Sequence, residues 1–299
     1  MAVMALASAP PSPPEFGVTS AHTGGWAHAG RPRCLEEESL ILVATLEFIT
    51  PGILAPLVRV QEDRAAELLE SLRVDQLTDR VWLPETATCG ACWAYSLTRR
   101  GARLVSQLTK EDARRPTTDE KSLVLVNHRI ALSQAAAGIM ACLGPYRLEA
   151  VYLGRRLQSL LAESRLKGWY FPDAYIAFFI DTPQGRVMRH LFIEVDRGTE
   201  SLRQLIRKFH ALNTYHVQDH RRLFHTDRLV VAVTVPTTLR LRRVCEAARE
   251  AKSRVRIFAN LHARARAETG ALEAWIDCLT GQGRSLLDIP QDAARGGSE

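Results

Sequence analysis

The chain has no uninterrupted apolar run approaching the roughly 20 residues that a membrane helix needs, which argues against a membrane-spanning protein. It has no Walker loop, no dinucleotide-binding glycine motif and no nucleophile elbow, so an ATPase, a dehydrogenase and a serine hydrolase have no foothold. Cysteine is sparse: six residues, at 34, 89, 92, 142, 245 and 278, are spread over 299 positions. A chain of that size has no need of a disulfide framework, and the dispersal fits a reducing cytoplasm. Cys89-Gly90-Ala91-Cys92 has the spacing of a zinc knuckle, but no second Cys-x-x-Cys follows it. Two free thiols at a hairpin tip is the competing reading. The apolar residues after Met1 lack a cationic segment before them and run directly into Pro10-Pro11-Ser12-Pro13-Pro14, unlike a secretory signal. No internal repeat is visible.

Charge is present in quantity, and it is divided unevenly. Residues 36–75 hold nine acids and three Arg, a net of −6, whereas residues 197–266 hold sixteen Lys or Arg and five acids, a net of +11. A cationic surface of that size suits a phosphate backbone, and Arg197, Arg203, Arg207, Arg221, Arg222, Arg240, Arg242 and Arg243 are the candidate contacts. Solvated helices decorated with arginine give the same count.

Periodicity divides the chain into parts. Residues 1–34, rich in Pro, Ser, Gly and Ala, are expected to be a disordered leader. Residues 35–110 read as a first domain. It begins with a helix opened by Glu36, Glu37 and Glu38 and ended at Thr50-Pro51-Gly52. Helices over 53–58 and 62–72 follow, then a hairpin (81–83 and 92–97) and a helix over 98–108 capped by Thr98. A polar linker covers 111–121. A second domain, 122–290, reads as a helix over 123–140, strands at 147–152, 174–180 and 189–195, a helix over 199–212, a strand at 229–235, a helix over 237–251, a strand at 254–259 and a last helix near 263–278. Residues 291–299 are expected to be a flexible tail.

Within this order the acids draw attention. In a strand, alternate residues share a face, so Glu194 and Asp196 project from one side while Leu191, Ile193 and Val195 line the other. With Asp173 at the start of the preceding strand, three carboxylates converge, which is the hard oxygen chemistry of a Mg²⁺ site. A sheet end with solvated acids fits the same spacing. His216 and His220 have the i, i+4 spacing of a helical metal pair and lie among His210 and His225. No His-Glu-x-x-His accompanies them, which speaks against a zinc enzyme.

Three stretches carry a family likeness: Tyr95-Ser96-Leu97-Thr98-Arg99-Arg100-Gly101-Ala102-Arg103-Leu104, the turn Pro172-Asp173-Ala174, and Phe192-Ile193-Glu194-Val195-Asp196-Arg197-Gly198-Thr199-Glu200-Ser201 followed by Lys208. Together, over roughly 37–260, they resemble the plasmid replication-relaxation family of bacterial mobile elements. The resemblance implies a mixed α/β fold: an N-terminal winged helix-turn-helix followed by an α/β PD-(D/E)xK nuclease-like domain. In that nuclease scheme Asp173 and Glu194 bind Mg²⁺ and a Lys two residues after the second acid positions the attacking water. Here Asp196 holds the Lys position, and a carboxylate cannot supply positive charge. Lys208, at the margin of the apolar face formed by Leu202, Leu205, Ile206 and Phe209, is the substitute, with pairing to Glu200 or another helix acid as its structural alternative. His128 falls on the helix where that nuclease class often supplies another acid.

The expectation is a cytoplasmic, DNA-associated protein acting in plasmid replication, relaxation or transfer. It acts either as a Mg²⁺-dependent nicking nuclease through Asp173, Glu194, Asp196 and Lys208 or as a non-catalytic DNA-binding regulator. Its expected partners are DNA and other plasmid replication or transfer proteins, with a homodimer in view. The third helix, with four acids and two Arg between residues 62 and 73, repels phosphates and points to protein contacts or dimerisation instead.

Overall fold

The computed structural model describes residues 34–84, 91–117, 122–143, 148–161, 172–182, 185–224, 229–265 and 272–287. The leader, the tail, the hairpin tip with Cys89, part of the linker and His225 fall outside them.

Three helices open the described chain: α1 (Leu35–Leu46), α2 (Pro51–Val58) and α3 (Glu62–Val74). The acids of the first turn of α1 suit the positive end of its dipole. Pro51, expected only as a breaker, starts α2 as well, because its missing N–H is no loss at a first helical position. β1 (Thr78–Leu83) and β2 (Cys92–Leu97) form an antiparallel hairpin with Trp82 opposite Trp93, and Ile49 bridges to Tyr95 beside it. α4 (Arg99–Thr109) follows. The Thr-Arg-Arg-Gly-Ala run has a local explanation here. The Thr98 hydroxyl accepts from the Gly101 N–H at 3.0 Å, and a Cβ on Gly101 would lie 2.0 Å from the Leu77 carbonyl oxygen, so only glycine lets α4 start this close to β1.

α5 (Leu123–Leu143) lies between this helical region and the sheet. It is apolar nearly all round because it is covered from two sides. By length and composition it is apolar enough to cross a membrane, yet 61% of its most apolar window is buried inside the protein. Counting only uninterrupted apolar residues passes over it, since Asn127, His128 and Arg129 break the run. Two polar ties hold it to α1: the Ser133 hydroxyl donates to the Leu46 carbonyl at 2.8 Å, and Arg129 pairs with Glu47 at 3.0 Å. One apolar core runs continuously from the N-terminal helices through α5 onto the sheet.

The sheet has seven strands in sequence order: β3 (Leu148–Leu153), β4 (Ala174–Thr182), β5 (Gly185–Val195), β6 (Leu229–Val235), β7 (Arg256–Leu261), β8 (Trp275–Asp277) and β9 (Gly283–Arg284). The short α6 (Gly154–Leu160) follows β3. β3, β4 and β5 are an antiparallel meander, β5, β6 and β7 run parallel, and β8 and β9 return antiparallel. The parallel steps need crossovers. These are α7 (Leu202–Tyr215), continued by a π-helical turn (His216–His220) and α8 (Arg221–Phe224), and then α9 (Thr238–Glu250). α7 and α9 pack side by side on the face opposite α5, over Phe192, Val231, Val233 and Ile257, giving three layers. α7 begins at Leu202 rather than Thr199 because Ser201 and Gln204 form a reciprocal capping box.

The last element corrects the sequence reading. Among the described residues of the span expected as a helix over 263–278 there is a 3₁₀ turn (His262–Arg264), and Trp275, Ile276 and Asp277 join the sheet beside β7 as a strand. Trp275 is fully buried, and the Asp277 carboxylate accepts from the N–H groups of Leu279 and Thr280, closing a turn. A three-residue strand is too short to display a period of two, so only the pairing partner reveals it.

Candidate functional site at the carboxyl ends of the central strands

In open α/β sheets the crevice outside the carboxyl ends of parallel strands is where ligands bind. The acids singled out above are here. Ala174 pairs with Ile193, so Asp173 enters β4 opposite Glu194 near the end of β5. Glu194 and Asp196 are both buried, on the side of the sheet covered by α7 and α9. The three acids do not pool their charge on one another: each has its own cation or imidazole, and the three partners come from three different helices.

Lys208 of α7 places its ammonium 2.7 Å from Glu194 and 3.7 Å from Glu200. Burial favours the neutral amine, but the charges of Glu194 and Glu200 outweigh it, and the Lys208 pKa is raised. Asp196 receives Arg240 of α9 in a two-pronged pair, Nε to Oδ2 at 2.6 Å and Nη2 to Oδ1 at 3.1 Å. The same carboxylate accepts from the Gly198 N–H at 2.6 Å, where Gly198 turns the chain at φ 78°. Arg240 also donates to the Glu200 carbonyl at 2.5 Å. The Glu-Val-Asp-Arg-Gly-Thr-Glu run therefore acts as one socket: Glu194 takes Lys208, Asp196 and Gly198 make the turn, and the turn holds Arg240.

Asp173, near enough to Lys208 to feel its charge, is hydrogen-bonded to α5 as well. His128 Nε2 lies 3.1 Å from its Oδ1, and the Val195 N–H donates to its Oδ2 at 2.8 Å. Burial would raise the Asp173 pKa, but His128, the Val195 amide and the nearby Lys208 charge together lower it. His262, just past β7, is hydrogen-bonded to the Asp196 backbone and close enough to His128 to feel its charge. Burial, working against Asp196, lowers its pKa.

Arg240 is a correction to the candidate phosphate contacts. It is only 5% exposed and fully committed to Asp196 and Glu200, because α9 delivers it inward to the sheet end. Arg197, Arg203, Arg207, Arg221, Arg222, Arg242 and Arg243 are exposed, on the turn after β5 and the outer sides of α7, α8 and α9. Sequence reasoning gave His128 no role and passed over His262. Nothing local marks either, since each gains its neighbour only when α5 and β7 meet the sheet. Among the described residues no group of three or more His, Cys, Asp or Glu is arranged to hold a metal ion.

The profile of the replication-relaxation family matches residues 40–224, from α1 to the end of α8. The chain belongs to the replication-relaxation family. Membership assigns it to replication or DNA relaxation. The match takes in Asp173, Glu194, Asp196, Lys208 and His128 and ends before Arg240 and His262. No curated protein and no solved structure matches the chain.

Proposed function

We propose that this replication-relaxation protein is a cytoplasmic DNA-binding protein of a mobile element that grips the phosphate backbone across the outer surface of α7 and α9. The observation that carries the reading is the concentration of exposed arginine there, Arg203, Arg207, Arg242 and Arg243, with Arg197 on the turn before α7, against the exposed acids Glu246 and Glu250. Because α7 and α9 lie side by side, these side chains belong to one surface rather than two. Five or six phosphate contacts correspond to a slope of about −5 in log affinity against log salt. Filter binding or fluorescence anisotropy on duplex DNA tests it. Replacing Arg203, Arg207, Arg242 and Arg243 by Gln should flatten the slope, and an unchanged slope overturns the reading. The helical region is read as a surface for protein contacts or dimerisation, because the four acids of α3 repel phosphates.

A second reading, nicking by a divalent ion, is favoured by the approach of Lys208 to Glu194 beside Asp173. The donor set suits Mg²⁺ in part. Asp173 and Glu194, cross-strand neighbours, are hard oxygen donors that would hold it, whereas both oxygens of Asp196 are taken by Arg240. Such an ion, when bound, supplies Lewis acidity at a phosphodiester. Lys208 would release Glu194 and turn its charge to the phosphate oxygens, while His128 keeps the Asp173 carboxylate ionised and oriented. Supercoiled plasmid should then be nicked with Mg²⁺ or Mn²⁺. Lys208→Met should slow nicking by about 10²–10³ while DNA and metal binding persist, and the Asp173→Ala, Glu194→Ala double variant should be inert. No nicking by the unsubstituted protein with either metal leaves the DNA-binding reading alone in place.

A further inference from the structure

We propose that Cys245 and Cys278 are a site of reversible oxidation, a dithiol that closes to an intramolecular disulfide with a low-molecular-weight disulfide as co-reactant. Cys245 sits on the inner side of α9, and Cys278 directly follows β8, where its N–H donates to the Ile257 carbonyl of β7 at 2.9 Å. Their Sγ atoms are 3.1 Å apart, in hydrogen-bond contact, although the residues are separated by 33 positions. A disulfide bond is about 2.05 Å long, so closure asks for a shift of about 1 Å, within the play of two side chains. The pair lies beyond the residues that the family profile matches.

The environment favours one order of events. The hydrogen bond with Cys278 lowers the Cys245 pKa, with Arg249 adding to the effect from the next turn of α9, whereas the same hydrogen bond and burial raise Cys278. Cys245 is therefore the attacking sulfur. Its thiolate attacks one sulfur of a small disulfide RSSR, forming a Cys245–S–S–R bond and releasing RS⁻. Cys278, losing its proton, then attacks Cys245 Sγ, forming the Cys245–Cys278 bond and releasing the second RS⁻. Two thiols are oxidised, one RSSR is reduced to two RSH, and the two protons pass to the leaving thiolates. Both cysteines are buried, so the reagent reaches them only through local opening at the β8 edge or during folding. Once closed, the bond ties α9, and with it Arg240, Arg242 and Arg243, covalently to the β7–β8 edge.

The test uses the full chain with Cys34, Cys89, Cys92 and Cys142 replaced by Ser. It is incubated natively with oxidised glutathione and, in parallel, unfolded and refolded in a glutathione redox buffer. Intact mass should fall by about 2 Da, the loss of two hydrogens, a peptide map should join Cys245 to Cys278, and dithiothreitol should reverse both. The melting temperature should rise by about 5–10 °C, as expected for closing a loop of this length. Closure on refolding alone still supports the site and reports how tightly the fold guards it. The proposal is overturned if no joined peptide forms by either route, or if the joined form melts no higher than the reduced one. Cys245→Ser, which keeps the size and removes the sulfur, should show neither the mass loss nor the rise.

Discussion

At the carboxyl ends of β5 and β6 the buried Glu194 and Asp196 each face a cation brought by a helix. Where β6 begins, beside the middle of β5, His190 and His220 are sealed among Tyr175, Phe192, Tyr215 and Phe224, with no acid paired to either among the described residues. Both places bury titratable groups, and the outcomes are opposite. Where a charge has a partner, burial is overruled: Lys208 is raised and Asp173 is lowered, so both stay ionised. Where no opposite charge is paired among the described residues, burial prevails, helped at His220 by the nearby imidazoles of His190 and His216. It lowers His190 to about 4 and His220 to about 2, and both rings stay neutral. His190 still finds the Tyr175 hydroxyl at 2.8 Å, whereas His220 is held by ring contacts in the π-helical turn. Burial thus does not decide the state of a side chain until its neighbours are known, and a π-helical turn is no sure mark of reactive chemistry.

The largest effect that would break this comparison is at the Asp196–Arg240 pair, where both side chains are nearly inaccessible. Arg240→Met strands a buried carboxylate and should cost about 3–5 kcal/mol in urea denaturation, while Arg240→Met with Asp196→Asn should recover more than half of that loss. A single variant costing under about 1 kcal/mol would mean that the pair is not buried as described.

The next effect is set by acid. A histidine whose folded pKa lies below its unfolded 6.5 takes up protons in the unfolded chain first. Its contribution to stability is complete above pH 6.5 and is lost as pH falls toward the folded value. Between pH 6.5 and 4 that amounts to on the order of 3 kcal/mol for each ring. His220→Leu, which fills similar space and cannot charge, should retain roughly that much stability at pH 4 relative to the unsubstituted protein. The other site titrates in a different window: Asp173, with its pKa below the ordinary 3.8, loses its contribution only as pH falls below that value. Urea midpoints measured from pH 7 to pH 3 for His220→Leu and His128→Gln separate the two. Parallel pH curves for His220→Leu and the unsubstituted protein would remove the aromatic cluster from the argument.

The smallest effect sharpens the contrast between inward and outward arginines. Arg203→Gln, Arg207→Gln, Arg242→Gln and Arg243→Gln should each change stability by no more than about 0.5 kcal/mol, against the several kcal/mol of Arg240→Met. Denaturation of the five variants side by side is sufficient. A surface arginine as costly as Arg240 would show that the outer side of α7 and α9 is also a structural network.

How far the sequence led can be seen element by element. The run of β6, Leu229–Val235, apolar but for Thr234 and buried at every position, was legible to the residue because both faces of a central parallel strand are covered. Thr98 marked the start of α4 because capping is local chemistry, whereas the equally local Ser201–Gln204 box was passed over and the reading began that helix three residues early, at Thr199. The alternation around Glu194 put Glu194 and Asp196 on one face correctly, and the margin position of Lys208 pointed it toward that face. β8 was not legible, since three residues carry too little pattern, and neither was the inward turn of Arg240, which from α9 alone is one arginine among several.

The sequence by itself determined the order of elements as far as β7, the faces of its strands and the unequal division of charge along the chain, because these depend on periods of two and of about 3.6 residues and on composition. Only the tertiary structure decided which acid meets which base: Asp173 with His128 across 45 positions, Asp196 with Arg240 across 44, and the two sulfurs of Cys245 and Cys278 across 33. A charge or a thiol acts through distance and local dielectric, and neither exists until three helices have closed on the sheet.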